Sequence, residues 1–323
     1  MRTYEKPCSS VLEAIGNTPL VELQRMGKGK PGRVFVKLEM YNPGASHKDR
    51  PALQIITAAE RDGKLRQGMT VVELTSGNMG TGLAIACRLK GYKFVAVMSE
   101  GNTIERRQML KAFGAEVVLV PQAGQSRPGR VSGEDLALVE KKRKEIVARL
   151  GKKCFAPDQF NNPNTALGHE LTTGAEILEQ LDGRVDWFVA TVGASGMLRG
   201  VGNALKKHNP KTKIIVVEPR TVAVLAGQRV TNTSHALQGT SYNMVPPLYS
   251  PSFVDGFMQV TDAQAIRTAR RLAAEEGIMG GFSSGAHVHC ALQLADKAKR
   301  GARIVTLISD SGMKYLSTNL YPA

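Results

Sequence analysis

Short, continuous apolar runs alternate with segments of helical spacing along the chain, and this alternation restricts the fold more than any other feature. The strand candidates are RVFVKLE (33–39), TVVELTS (70–76), KFVAVM (93–98), AEVVLV (115–120), VDWFVATV (185–192), KIIVVEP (213–219) and ARIVTLIS (302–309). Between them lie TGLAIACRLKG, IERRQMLKAFG, LGHELTTGAEILEQL and DAQAIRTARRLAAEEG, in which apolar residues recur three and four apart. Strands buried on both faces read as unbroken hydrophobic runs, and strand–helix alternation means βαβ units in parallel sheet. The expected class is therefore α/β. A chain of 323 residues exceeds what one core usually absorbs, so two lobes are expected, each a mostly parallel twisted sheet flanked by helices. The cleft between them, at the carboxyl ends of the strands, is where ligands of open parallel sheets bind.

A charged, Gly/Pro-punctuated segment at about 121–155 divides the early strands from the late ones. It reads as an elaboration near a lobe boundary carrying one helix, about 133–150. Its GQSRPGRVSGEDLALVEKKRKEIVARLGKK has nine Lys/Arg against four Asp/Glu and contributes much of the net charge of +15. Nucleic-acid binding would use such charge, but the stretch has no aromatic residue to stack on a base, and a solvated basic helix accounts for it. Cys8, Cys87, Cys154 and Cys290 are scattered without CxxC spacing, which excludes a disulfide framework or zinc site and suits a reducing compartment. MRTYEKPCSS has no apolar signal core and no run approaches membrane-spanning length, so a cytoplasmic protein without membrane or metal partners is expected.

Four small-residue loops could carry chemistry. In TVVELTSGNMG, Thr75, Ser76, Gly77, Asn78 and Met79 follow a strand and open a helix. Backbone N–H groups and short hydroxyls there suit a carboxylate or phosphate, or simply cap the helix. In VATVGASGM, Gly193, Ala194, Ser195, Gly196 and Met197 do the same in the form of a phosphate cup. It is neither GxGxxG with a downstream acid nor GxxxxGK[ST], so a dinucleotide or ATP is not indicated. GGFSSGA places Ser283 before a helical run, and ISDSGMKYL follows a late strand. A fifth loop, NPGASHKDRPA, sets Lys48 behind His47 and ahead of an Asp-Arg pair. An amine, an anion cup and a second carboxylate site are together what a pyridoxal 5′-phosphate enzyme needs.

The ordered set AIGNTPLVEL, NPGASHKDR, TSGNMG, ERRQMLKAFGAEV, QFNNPNTALGHELTTGAEI, the GASGM loop, VVEP, GGFSSGA and DSGMKYLST resembles the cysteine synthase/cystathionine β-synthase family. This is the fold-type II, tryptophan-synthase-β-like group, and the likeness runs nearly end to end. The resemblance implies a smaller, mobile N-terminal α/β domain at 42–155 and a larger domain built from 1–41 and 156–323. It implies pyridoxal 5′-phosphate as cofactor, with Lys48 as the Schiff-base lysine and general base. Asn78 would bond the phenolic oxygen, 193–197 would hold the phosphate, and Ser283 would face the pyridine nitrogen. Thr75, Ser76, Gly77, Met79 and Gln159 would hold the substrate. The implied reaction is β-replacement on O-acetylserine or serine through an α-aminoacrylate, giving cysteine with a small thiol. Related alternatives are β-cyanoalanine or S-sulfocysteine synthesis, cysteine desulfhydration, cystathionine synthesis, or a siderophore diaminopropionate precursor. A homodimer and an acyltransferase tail are the implied partners.

The sequence also departs from the family pattern. GASGM stands where the family usually has GTGGT, so two threonine hydroxyls are missing and Thr191, Ser195 or His47 would have to compensate. His47 resembles the histidine beside the phosphate in tryptophan synthase β; the other reading is an exposed loop residue. Met79 replaces the threonine of TSGNTG. QGTSYNMVPP (238–247) replaces the family's GIGAGF-type loop and would bring Tyr242 and Asn243 near the substrate. No arginine occupies 239–245, where users of O-phosphoserine place one.

Overall fold

A computed structural model describes residues 7–75, 77–123 and 131–321. Its larger sheet contains β1 (Leu20–Glu22), β2 (Arg33–Leu38), β7 (Trp187–Thr191), β8 (Lys213–Pro219), β9 (Gly256–Val260) and β10 (Arg303–Ile308), in the order β1-β2-β10-β7-β8-β9. The smaller contains β3 (Thr70–Leu74), β4 (Lys93–Ser99), β5 (Glu116–Val120) and β6 (Cys154–Phe155), in the order β5-β4-β3-β6. Among these strands only β1 runs antiparallel to its neighbour; every other pairing between them is parallel. The α/β class with two mostly parallel sheets is thus observed.

Both sheets are covered on both faces, which is why their strands carry no polar alternation. Val71 and Val72 are adjacent and both fully buried. Val71 packs with Ile55 and Ile56 of α1 (Asp49–Arg61) and Leu83 of α2 (Asn78–Lys90). Val72 packs on the other side with Val139 and Ile146 of α4 (Gly133–Leu150). In the larger sheet, Val34 and Val36 of β2 meet Ala286 and Cys290 of α9 (Phe282–Lys297) and Leu272 of α8 (Asp262–Glu276). Phe35, between them, meets Leu198 and Val201 of α7 (Gly196–His208). Burying each such side chain contributes about 1.5–3 kcal/mol.

Three features differ from the sequence expectation. The helix expected at about 133–150 is present as α4, but it covers one face of the smaller sheet and the segment ends in β6, which pairs with β3, so it belongs to that layer rather than elaborating it. Residues 124–130 lie outside the described residues. LGHELTTGAEILEQL is not one helix but α5 (Asn164–His169), a π-helical turn (Glu170–Gly174) and α6 (Ala175–Gln180). Finally, β1, β6 and β9 were not anticipated; they are two to five residues long and lie at sheet edges.

Candidate active site

The Lys48 loop is held from two sides. At its carboxyl end, α1 begins with Asp49 and Arg50, and Arg50 is fully buried between two carboxylates. It binds Glu39 through Nε at 2.7 Å and Nη2 at 2.8 Å, and Glu176 through Nη1 at 2.6 Å and Nη2 at 2.8 Å. Lys37 joins Glu176 at 2.7 Å, so two positive and two negative side chains balance inside the protein. At the amino end, the His47 N–H donates to the Ser309 carbonyl at 2.9 Å and the Ser311 N–H to the Ala45 carbonyl at 3.1 Å. The Asp310 loop therefore lies directly against the Lys48 loop.

Between the sheets, a cleft is lined by His47, Lys48, Asn78, Met79, Gln159, Gly193 to Met197, Tyr242 and Ser283. One cavity thus gathers residues from six separated segments of the chain. Burial pushes the Lys48 amine down to about 8, although the Glu73 carboxylate pulls it upward, so a substantial neutral fraction exists near neutral pH. Burial raises Glu73 itself to about 8 against the opposing charge of Arg143. Glu73 accepts the Asp158 N–H at 2.8 Å, and Gln159 donates through Nε2 to the Leu74 carbonyl at 3.0 Å. These bonds present Gln159 at the carboxyl end of β3.

The two glycine loops are shaped by close approach. A Cβ at Gly193 would overlap the Gly239 carbonyl oxygen, and one at Gly196 would overlap Thr165. Between them Ser195 is left-handed (φ 67°), and its hydroxyl is buried without a partner. The first turn of α7 opens onto the cleft at Gly196, Met197 and Leu198. Helix N-termini carry unpaired N–H groups and favour anions. An orphaned hydroxyl, two positions without space for a side chain and a helix N-terminus fit a phosphate. In the other loop Gly77 takes φ 121°, and Thr75 Oγ1 accepts from the N–H groups of Gly77 at 2.9 Å and Gly80 at 2.8 Å.

Not every expected residue reaches the cleft. Thr75 and Gly77 are buried and do not line it; the Thr75 hydroxyl oxygen caps the turn instead. Ser76 lies outside the described residues. Asn243 is exposed and points no contact into the cavity, whereas Tyr242 lines it, its ring 6.1 Å from that of Phe160. His47 is a half-buried wall residue rather than an exposed one. Its Nδ1 lies 3.4 Å from His169 Nε2, and His169 Nδ1 lies 2.9 Å from Thr173 Oγ1 across the π-helical turn. Burial, and then the charge of Lys48, holds both imidazoles well below their ordinary range, so both are neutral.

Thr191 lines the cleft, with its hydroxyl turned toward His287. His287 Nδ1 faces the Leu307 carbonyl at 3.1 Å and must carry the proton, which leaves Nε2 as an acceptor. That single lone pair accepts the Thr191 N–H at 2.8 Å and is shared with the Thr191 hydroxyl, 2.9 Å away. Phe160, Gln238 and Tyr315 also line the cleft, and His169 and Lys314 stand behind it on His47 and Asn78; none carries a local mark of this in the sequence. Among the described residues, no three His, Cys, Asp or Glu side chains converge to hold a metal, and no helix is long and apolar enough to cross a membrane.

Residues 11–310 match the family described as pyridoxal-phosphate dependent enzyme. The chain is 42% identical over 318 residues to the cysteine synthase of Staphylococcus aureus, covering 98% of each chain. It is 40% identical over 314 residues to the O-ureido-L-serine synthase of Streptomyces lavendulae, covering 97% of this chain and 92% of that one. Among solved structures, the cysteine synthase of Entamoeba histolytica superposes with a TM-score of 0.90 at 35% identity, over 99% of this chain and 93% of the other. The fold and cleft define a fold-type II enzyme dependent on pyridoxal phosphate. Within that class, the chain belongs to the cysteine synthase-like β-replacement family.

Proposed function

We propose that the chain is a cysteine synthase, replacing the β-substituent of O-acetylserine or serine with sulfide or a small thiol. The observation that carries this reading is the convergence, in one cleft, of Lys48, Asn78, Ser283 and the orphaned Ser195 hydroxyl. Lys48 would hold the cofactor, Gly193–Met197 its phosphate, Asn78 its ring oxygen and Ser283 its ring nitrogen, with His47 offering a neutral hydrogen bond. Bound there, pyridoxal phosphate supplies the electron sink that makes the substrate Cα–H acidic and the β-substituent a leaving group.

The protein's own part follows from the geometry. A desolvated lysine is neutral often enough to take the Cα proton and return it. Gln159, together with the backbone of the 75–79 turn, would fix the substrate carboxylate at the end of β3, and Met79 would narrow that site. Ser283 offers a hydroxyl on α9, which unlike a carboxylate need not hold a proton on the ring nitrogen. Tyr242 and Phe160 would close the side from which the nucleophile enters. Closure of 42–155 on the remainder would exclude water. Reduced intracellular conditions suit the four free cysteines, and family resemblance supports a homodimer.

A second reading, O-ureido-L-serine-type chemistry with a different nucleophile, is favoured by the nearly equal identity to the Streptomyces lavendulae enzyme. The test offers O-acetylserine, O-phosphoserine and serine to the holoenzyme with sulfide, cyanide, thiosulfate or hydroxyurea, and identifies products by mass. Cysteine as the dominant product supports the first reading. Turnover confined to another nucleophile overturns it.

A further inference from the structure

Lys314, in the turn Gly312–Tyr315, is 2% exposed and lies beneath the cleft. Its ammonium donates to the Gly44 carbonyl at 2.7 Å and to Asn78 Oδ1 at 2.8 Å. On the other side of the same amide, Asn78 Nδ2 donates to Asp310 Oδ2 at 2.8 Å. Asp310 is in turn fixed by the Tyr315 hydroxyl, which donates to Oδ2 at 2.7 Å and accepts from Arg106 Nη2 at 2.6 Å.

An ammonium has only donors and an ionised carboxylate only acceptors. Flipping the Asn78 amide would set its NH2 against Lys314 and its C=O against Asp310, creating two repulsions where there are now two charge-assisted bonds. The amide orientation is thus decided from both ends, and the second hydrogen on Nδ2 is the one left for the cleft. Burial opposes charge on Lys314, while Asp310 and Asp49 favour it, so the ammonium stands among compensating carboxylates. A lone buried ammonium would cost several kcal/mol, and nothing in the packing alone calls for a lysine here.

We propose that Lys314 is a positioning residue that locks Asn78 so that an N–H, never the carbonyl, faces an anionic oxygen in the cleft. This rests on the reading that Asn78 meets the ring oxygen of pyridoxal phosphate. A donor fixed there stabilises the ionised ring oxygen, and this registers in the visible spectrum of the resting holoenzyme, independently of turnover.

The experiment compares holoenzyme spectra of wild type, Lys314→Met, Lys314→Gln, Asn78→Ala and the Lys314→Met/Asn78→Ala double variant at one pH, after measuring cofactor stoichiometry. The ratio of long- to short-wavelength bands is expected to fall about threefold or more in Lys314→Met and in Asn78→Ala, the size of one ordinary hydrogen bond. The double variant should fall no further than Asn78→Ala, and Lys314→Gln, which keeps a donor, should fall less. An unchanged ratio in Lys314→Met, or additive losses in the double variant, overturns the proposal. If Lys314→Met does not fold, Lys314→Gln decides by the same ratio in a double variant with Asn78→Ala: a shared loss supports coupling and additive losses refute it. A silent Asn78→Ala overturns instead the placement of Asn78 against the ring oxygen.

Discussion

Thr191 presents both its backbone N–H and its hydroxyl to a single nitrogen of His287, at 2.8 and 2.9 Å. Because the other ring nitrogen is committed to Leu307, the two groups share one lone pair, and the hydroxyl is drawn toward His287 and away from the cleft. Thr191→Val is expected to cost about 1 kcal/mol of stability and leave the Kd for pyridoxal phosphate within about twofold. Equilibrium dialysis of the refolded apoprotein measures the second quantity. A tenfold weaker Kd would mean that the hydroxyl does reach the phosphate.

Arg50 holds Glu39 and Glu176 by two bonds each, and this places the first turn of α1 behind Lys48. Arg50→Met leaves two buried carboxylates with only Lys37, on Glu176, to balance them and should destabilise the protein by about 3–5 kcal/mol in urea unfolding. A loss below about 1 kcal/mol would show the network to be dispensable.

The same network sets the acid limit. Burial raises Glu176, but the hydrogen bonds and charges of Arg50 and Lys37 outweigh it and bring its carboxyl down to about 2 from 4.5. The folded value is depressed, so its contribution, about 3 kcal/mol, is complete above the unfolded value and lost as pH falls toward 2. His287 acts earlier: burial, against the weaker pull of Leu307 and Asp310, lowers it from 6.5 to about 4, and its share disappears over that interval. Unfolding free energy measured against pH should fall in two stages. Removing Glu176 as Glu176→Gln should abolish the lower one.

Ser195 carries a buried hydroxyl with no partner, in a left-handed conformation between two crowded glycines. Ser195→Ala should leave the apoprotein as stable as wild type or more so, since an unsatisfied polar group is removed. It should also weaken pyridoxal phosphate binding roughly tenfold. Equal losses in both quantities would make the hydroxyl structural rather than a phosphate ligand.

Glu73 acts on Lys48 through space. Burial raises Glu73 itself to about 8, so its charge supports the Lys48 ammonium only above that pH, and Glu73→Gln should speed capture of pyridoxal phosphate by the apoenzyme near pH 9 while leaving it unchanged near pH 6. The rate of capture measured from about pH 6 to 9 reports the difference. A change in the opposite direction would contradict the assignment.

The sequence made the architecture legible wherever burial on both faces produced an unbroken apolar run. β2, β3, β4, β7, β8 and β10 each lie within a residue or two of the expected span. β6 and β9 escaped notice because an edge strand is half-exposed and short, and β6 has only two residues. The loops that supply Lys48, Asn78 and Ser195 were found because glycine and small residues mark a turn. The supporting side chains were not. Lys314 reads as one more surface charge, and only the fold brings it within 2.8 Å of Asn78, 236 residues away. Likewise His287 lies inside an apolar helix, and its partner Thr191 is 96 residues distant. A short hydroxyl at a strand–helix turn suits a ligand or a cap, and the sequence alone does not show that Thr75 Oγ1 accepts from two N–H groups of its own turn.

The most direct test of the whole account is where pyridoxal phosphate is covalently attached. Holoenzyme reduced with borohydride and digested should yield one phosphopyridoxyl peptide, modified at Lys48, and Lys48→Ala should bind the cofactor without forming it. Modification at Lys314 or any other lysine, or an unchanged covalent yield in Lys48→Ala, would contradict the account.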